Sequence, residues 1–225
     1  MPVITLPRPV KAVIFDMDGL LVDSERIYRD SMMHVTERFG RVLPLPVFQS
    51  MVGTPHAHSR DLAMAHFGAD FDYEAWHEAV SEHAHAQIVV DLSLKAGVLE
   101  LMHDLEAAGL PRAVATSSSH RTVALQLGPS GLLTRFQTIV ANGDYAHGKP
   151  SPDPFLVAAE RLGVVPEACL ALEDSHNGVR AAHAAGMMTV MVPDLLDATD
   201  EMRALCVAIA MTLHDVRDCL AINGY

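Results

Sequence analysis

From residue 97 onward, short apolar runs alternate with helix-length stretches, and this alternation constrains the fold more than any other feature. Runs rich in Val, Leu, Ala and Met occupy 112–116, 137–141, 169–173 and 187–192. Helical patterns fill 97–109, 119–127, 154–162 and 175–185, and Gly109, Gly163 and Gly186 stand where helices need left-handed caps. A weaker strand at 206–210 and a helix near 215–221 close the pattern. Strands alternating with helices build βαβ units, whose crossovers cover both faces of a parallel sheet. Near the N-terminus, Lys11-Ala12-Val13-Ile14-Phe15 has the same character and reads as one more doubly buried strand.

The stretch between breaks the pattern. Residues 24–91 are helical in character and contain no convincing strand. Ser24 is placed to cap a helix from Glu25 to Phe39, with Gly40 past its end. Thr54-Pro55 has N-cap and first-turn chemistry for a second helix ending at Gly68, and Asp72 can cap a third from Tyr73 towards Val90. The expected class is therefore α/β: a doubly wound, Rossmann-like parallel-sheet core over 1–22 and 93–225, interrupted by an inserted α-helical domain over 23–92. A chain of 225 residues is long enough for both.

Charge and composition narrow the partners. A formal charge of −12 opposes nucleic acid and anionic membranes, whose binding depends on basic residues. A small anionic substrate needs only local positive charge. No apolar run approaches membrane-spanning length, and the proline-rich N-terminus lacks a signal core. Cys169, Cys206 and Cys219 show no metal-type spacing and read as reduced core residues of a cytoplasmic protein.

The strand ends carry the chemistry. The first strand runs into Asp16-Met17-Asp18-Gly19, where Gly19 lets the chain turn and two carboxylates lie close enough to call for a cation. Alone, such a pair is equally well explained as helix-capping acids. Thr116-Ser117-Ser118-Ser119 follows the next strand, a hydroxyl run that can cradle an anion or supply one N-cap. Gly148-Lys149-Pro150-Ser151-Pro152-Asp153-Pro154 holds one of only three lysines in a stiff loop, suited to fixing an ammonium near phosphate. Leu172-Glu173-Asp174-Ser175 again ends a buried strand in acids, and with 16 and 18 these would give a hard-cation site of the kind magnesium prefers. All four segments fall at C-terminal ends of strands in one sheet, so they can converge on one pocket.

These four segments resemble the four motifs of the haloacid dehalogenase-like hydrolase superfamily. The likeness extends through Leu21-Val22-Asp23-Ser24-Glu25 and through Ser175-His176-Asn177-Gly178-Val179-Arg180-Ala181-Ala182. The branch is the one with phosphoglycolate phosphatase, β-phosphoglucomutase and pseudouridine-5′-phosphatase. The resemblance implies a Mg2+-dependent phosphatase acting on a small phosphorylated metabolite through an aspartyl-phosphate. Asp16 is the implied nucleophile and Asp18 the acid/base, its backbone carbonyl also on the metal. Asp16 and Asp174 are implied side-chain ligands, with Glu173 binding directly or from behind. Thr116, Ser117, Ser118 and Lys149 are the implied phosphate holders.

The insert then corresponds to a cap that closes over the pocket and sets specificity. It contains no lysine but seven of the thirteen histidines. Gly53, His56, His58 and Arg60, at its loop-and-helix entry, are the candidates for substrate contact. β-Phosphoglucomutase carries a cap lysine, a cap arginine and a histidine; here the lysine is missing, His56 stands near the arginine position and Tyr28 near the histidine. That favours hydrolysis over the alternative, a hexose-phosphate mutase, and a non-catalytic binding module has no use for both Asp16 and Asp18. The expected assembly is a monomer or weak homodimer.

Overall fold

The computed structural model describes residues 6–52, 54 and 56–223. The chain divides into two compact units, Met1–Val22 with Leu94–Tyr225 and Asp23–Ser93.

The first unit is a six-stranded, all-parallel sheet in the order β3-β2-β1-β4-β5-β6. Its strands are β1 (Ala12–Phe15), β2 (Arg112–Ser119), β3 (Thr138–Asn142), β4 (Cys169–Glu173), β5 (Met188–Met191) and β6 (Ala208–Ile209). This is the doubly wound order, and its direction reverses between β1 and β4, where open α/β sheets form their binding crevice. β1 and β4 are buried at every residue, as strands covered on both faces must be.

The helices of this unit are α5 (Val98–Ala107), α6 (His120–Leu127), α7 (Asp153–Leu162), α8 (His176–Ala184), α9 (Asp200–Leu205) and α10 (Leu213–Asn223). Helix α7 packs on β1, β2 and β3, and Phe155 from it joins Ile14, Ala115, Val140 and Ala171 in the core. Ser175 caps α8 by accepting from Gly178 N at 3.1 Å.

Two expectations shift here. β2 continues through the hydroxyl run to Ser119, because its ladder with β3 resumes after an irregularity as Ser119 pairs with Asn142. Helix α6 therefore begins at His120, with Ser119 as its cap accepting from Thr122 N at 3.2 Å.

The second unit is built from α1 (Ser24–Arg38), α2 (Leu45–Met51), α3 (His56–Phe67) and α4 (Tyr73–Asp91). Trp76 is its centre, fully buried, with Nε1 donating to Thr36 Oγ1 at 3.0 Å. Asp72 caps α4 as expected, accepting from Ala75 N. Ser24 does not cap α1: the helix starts one residue earlier than expected, Asp23 takes the N-cap position, and Ser24 is buried in the first turn. Thr54 turns its hydroxyl to Met51 O and Ser59 Oγ, and its neighbour Pro55 lies outside the described residues. Helix α2 is an element the sequence does not announce, being one seven-residue segment with proline at its start and no polar cap.

Among the described residues no helix is long and apolar enough to cross a membrane. None of the three cysteines forms a disulfide, and burial pushes the thiols of Cys169 and Cys206 up to about 11, so neither of these two is a ready nucleophile.

Candidate active site

The reversal between β1 and β4 places two acidic strand ends side by side. Asp16 N donates to Leu172 O at 2.9 Å, which carries the β1–β4 ladder one step past β1 and sets Asp16 beside Glu173. Asp16, Glu173 and Asp174, all buried, each offer an oxygen within 4.8 Å of the others. Gly19, at φ +78°, turns the chain immediately beyond the first acids.

Lys149 is the cation among these acids. Its Nζ lies 2.5 Å from Asp16 Oδ1 and 2.5 Å from Glu173 Oε1, with a side chain only 6% exposed. The Phe155 ring centroid lies 5.0 Å from the ammonium. The loop that carries Lys149 is clamped at its far end by Asp153, which accepts from His147 N at 3.0 Å and Ser151 Oγ at 2.8 Å. His147 also meets Asp153 through Nδ1, in keeping with a role in positioning this loop.

Glu173 is saturated. Its second oxygen accepts from Asp174 N, Ser175 N and Ser175 Oγ at 3.0–3.1 Å. The carboxylate occupies the space a side chain on residue 178 would need, so Gly178 is required for its position. Its geometry is that of a group anchoring Lys149, with Asp16 and Asp174 the carboxylates better suited to ligate.

Burial pushes the Asp16 carboxyl up to about 8, opposed by Lys149 and reinforced by Glu173 and Asp18. Burial works against the Lys149 ammonium, but Asp16 and Glu173 outweigh it and hold its pKa above the ordinary value. The two shifts share one cause: several buried carboxylates face a single ammonium. Only one of Asp16 and Glu173 is balanced by Lys149, and Asp174 adds further negative charge. A hard divalent cation with oxygen ligands fits that deficit, and the donor set is all oxygen.

Asp18 is held from two sides. Ser118 Oγ donates to its Oδ2 at 2.8 Å, and Gln126 Nε2 to its Oδ1 at 3.1 Å. Ser118 was expected among the phosphate holders, yet in this structure its hydroxyl is directed to Asp18. Gln126, buried on α6, has no counterpart among the expected site residues, since a glutamine on an amphipathic helix carries no signal of its own. Thr116 is buried; its Oγ1 accepts from Ser118 N at 3.0 Å, and its carbonyl accepts from Tyr145 OH at 3.1 Å. Tyr145 is likewise an addition to the expected set. Ser117 is exposed.

The helical unit has a cavity of its own, about 320 Å³, lined in part by Tyr28, His56, Ser59, Tyr73, Trp76 and His77. Among the described residues no lysine or arginine contributes to it. His56 meets the rings of His77 and Tyr73 edge-on, at 4.6 and 5.3 Å between centroids. Burial, with His56 alongside, lowers the His77 pKa and keeps that imidazole neutral near pH 7. His58 and Arg60 are exposed on α3 and lie outside the lining; Arg60 sits 3.9 Å from Glu74. Gly53 lies outside the described residues.

A parallel sheet with acids on both strands at its reversal point, a buried lysine between them and a helical insert defines a hydrolase of the haloacid dehalogenase-like type. The profile of the haloacid dehalogenase-like hydrolases matches residues 13–192, and the chain belongs to that family. It is 36% identical over 194 residues to a Drosophila melanogaster protein named "Probable pseudouridine-5'-phosphatase", covering 83% of each chain. It is 30% identical to the phosphorylated carbohydrates phosphatase of Thermotoga maritima, covering 89% of this chain and 94% of that one. A HAD family hydrolase of Deinococcus radiodurans, solved with phosphate and sodium bound, superposes with a TM-score of 0.81 at 28% identity, covering 96% and 97% of the two chains. This kinship places the chain among the phosphoric monoester hydrolases of the family, which generally use a divalent metal.

Proposed function

We propose that the protein is a magnesium-dependent phosphatase that hydrolyses a small sugar or nucleoside monophosphate through an aspartyl-phosphate on Asp16. The observation that carries this reading is the division of labour between the two aspartates. Asp16 is buried against Lys149 and the acidic cluster, whereas Asp18 is oriented separately by Ser118 and Gln126.

An Asp16 oxygen attacks phosphorus as the bond to the ester oxygen breaks, and Asp18 protonates that oxygen as it leaves. Asp18 then takes a proton from water, whose oxygen attacks phosphorus and releases the Asp16 carboxylate and inorganic phosphate. Lys149 and the groups around Thr116 and Ser117 neutralise and position the phosphoryl oxygens, and Glu173 keeps Lys149 in place. Asp16, Asp174 and the Asp18 carbonyl would hold the Mg2+, which supplies charge to offset that developing on the phosphoryl group.

The helical unit, in this reading, is the cap that selects the substrate, and His56 is its best-supported specificity residue because it lines the cavity. Among the described residues the lining combines aromatic, imidazole, hydroxyl and apolar groups with one carboxylate, Glu25, and no lysine or arginine. That suits the uncharged body of a monophosphate better than a second phosphate and supports hydrolysis over mutase chemistry.

The test is a panel of phosphate esters assayed with wild type, Asp16→Asn and Asp18→Asn, with Mg2+ and with chelator. Loss of the acid/base group lowers turnover by roughly 10²–10⁴-fold, and loss of the nucleophile by at least as much. Full activity in either purified variant, or in chelator, contradicts the mechanism.

A further inference from the structure

Asp194 lies just past β5, in a loop tied to the metal-side strand end: Val192 N donates to Glu173 O at 2.7 Å. Its Oδ1 accepts from Lys95 Nζ at 2.7 Å. Lys95 is fixed in turn beside the β1 turn, its N–H donating to Leu21 O at 3.0 Å. Asp194 Oδ2 is buried, and no donor among the described residues reaches it. This oxygen has a neighbour of its own kind. A Cβ placed on Gly19 would lie 3.3 Å from Asp194 Oδ2 and in steric overlap with Asp174 Oδ2. Two carboxylate oxygens therefore face the same small space beside the Gly19 Cα.

An ionised carboxylate only accepts hydrogen bonds, and leaving one buried oxygen without a donor is costly. Lys95 orients Asp194 through Oδ1 and does not reach Oδ2. A donor that would suit Asp194 Oδ2 in this place is a water carried by a hard cation, since Mg2+ retains several waters whose protons need acceptors.

We propose that Asp194 is a positioning residue for the metal centre: its Oδ2 accepts a hydrogen bond from a water on the cation, while Lys95 fixes the carboxylate through Oδ1. This rests on the metal site proposed above and adds two residues to it. It also gives Gly19 a second purpose, because any side chain there would fill the space the two carboxylates share.

The test is calorimetric Mg2+ titration of the full-length protein after chelator treatment, with Mn2+ binding followed by electron paramagnetic resonance as a second readout. Asp194→Asn is nearly isosteric and keeps an oxygen for Lys95, but presents an NH2 where the acceptor stood. It weakens Mg2+ binding by roughly 10-fold or more, the usual effect of losing an outer partner. Lys95→Met separates positioning from bulk charge. Removing a nearby positive charge would tighten cation binding if only the field mattered; if Lys95 orients Asp194, binding weakens. Unchanged affinity in Asp194→Asn, or tighter binding in Lys95→Met, overturns the proposal. Asp174→Asn is the reference: if it also binds Mg2+ like wild type, the metal site itself is refuted, and the role of Asp194 with it.

Discussion

Asp16→Asn should make the metal-free protein more stable, by an amount that grows with pH. The Asp16 carboxyl is raised in the folded protein to about 8, first by burial and then by Glu173 and Asp18. In the unfolded chain it titrates at about 4. A group with a raised folded pKa contributes fully below its unfolded value, and that contribution is lost as pH rises towards the folded one. Wild type therefore loses stability relative to the asparagine variant between about pH 4 and pH 8, at roughly 1.4 kcal/mol per pH unit, and the difference levels off above. Between pH 5 and pH 7 the variant's advantage should grow by about 2–3 kcal/mol. The substituted amide retains an oxygen for Lys149, which also keeps Glu173.

The assay is urea denaturation in chelator, followed by circular dichroism across that pH range. With excess Mg2+ the order should reverse, because wild type binds the cation through an anionic Asp16 and gains stability by mass action. A difference independent of pH, or a variant less stable than wild type in chelator at pH 8, would refute the electrostatic reasoning. If the predicted pH dependence is observed, one residue is a source of both instability and activity, the usual trade at a functional site.

Two further outcomes follow from the geometry. Gly178→Ala puts a methyl group into the Glu173 carboxylate and must displace it; it should cost about 1–3 kcal/mol in stability and release Lys149, lowering kcat more than it raises KM, and wild-type kinetics would contradict the packing described. Trp76, the single tryptophan of the chain, lines the helical unit's cavity, so filling that cavity should change its emission. Titrating free nucleosides and free sugars should give a saturable change with one class, weakened roughly 10-fold by His56→Ala, and no change from either would mean the cavity does not take the substrate.

The sheet was legible because most of its strands are short and apolar, and glycines end helices that precede three of them. The convergence of Asp16, Lys149, Glu173 and Asp174 followed once those strands were parallel, since every motif sits at a C-terminal strand end. What the sequence hid depends on side-chain direction. Ser118 sits in the hydroxyl run but points to Asp18, and Gln126 comes from a helix with no motif to mark it. Helix α2 was missed because a single seven-residue segment without a polar cap is too short to show a helical period. The grouping of His56, Tyr73 and His77 joins two helices across a long sequence gap, and no periodicity reports such a contact.

The central claim is that Asp16 carries the phosphoryl group between the two halves of the reaction. Asp18→Asn, reacted with an aryl phosphate whose leaving group needs no proton, should trap that state, because the variant lacks the base that activates water. Acid quench, proteolysis and mass spectrometry should find one phosphoryl group on Asp16, absent in the Asp16→Asn, Asp18→Asn double variant. Aryl phosphate turnover with Asp16 never modified, or a phosphoryl group on another residue, would contradict the account.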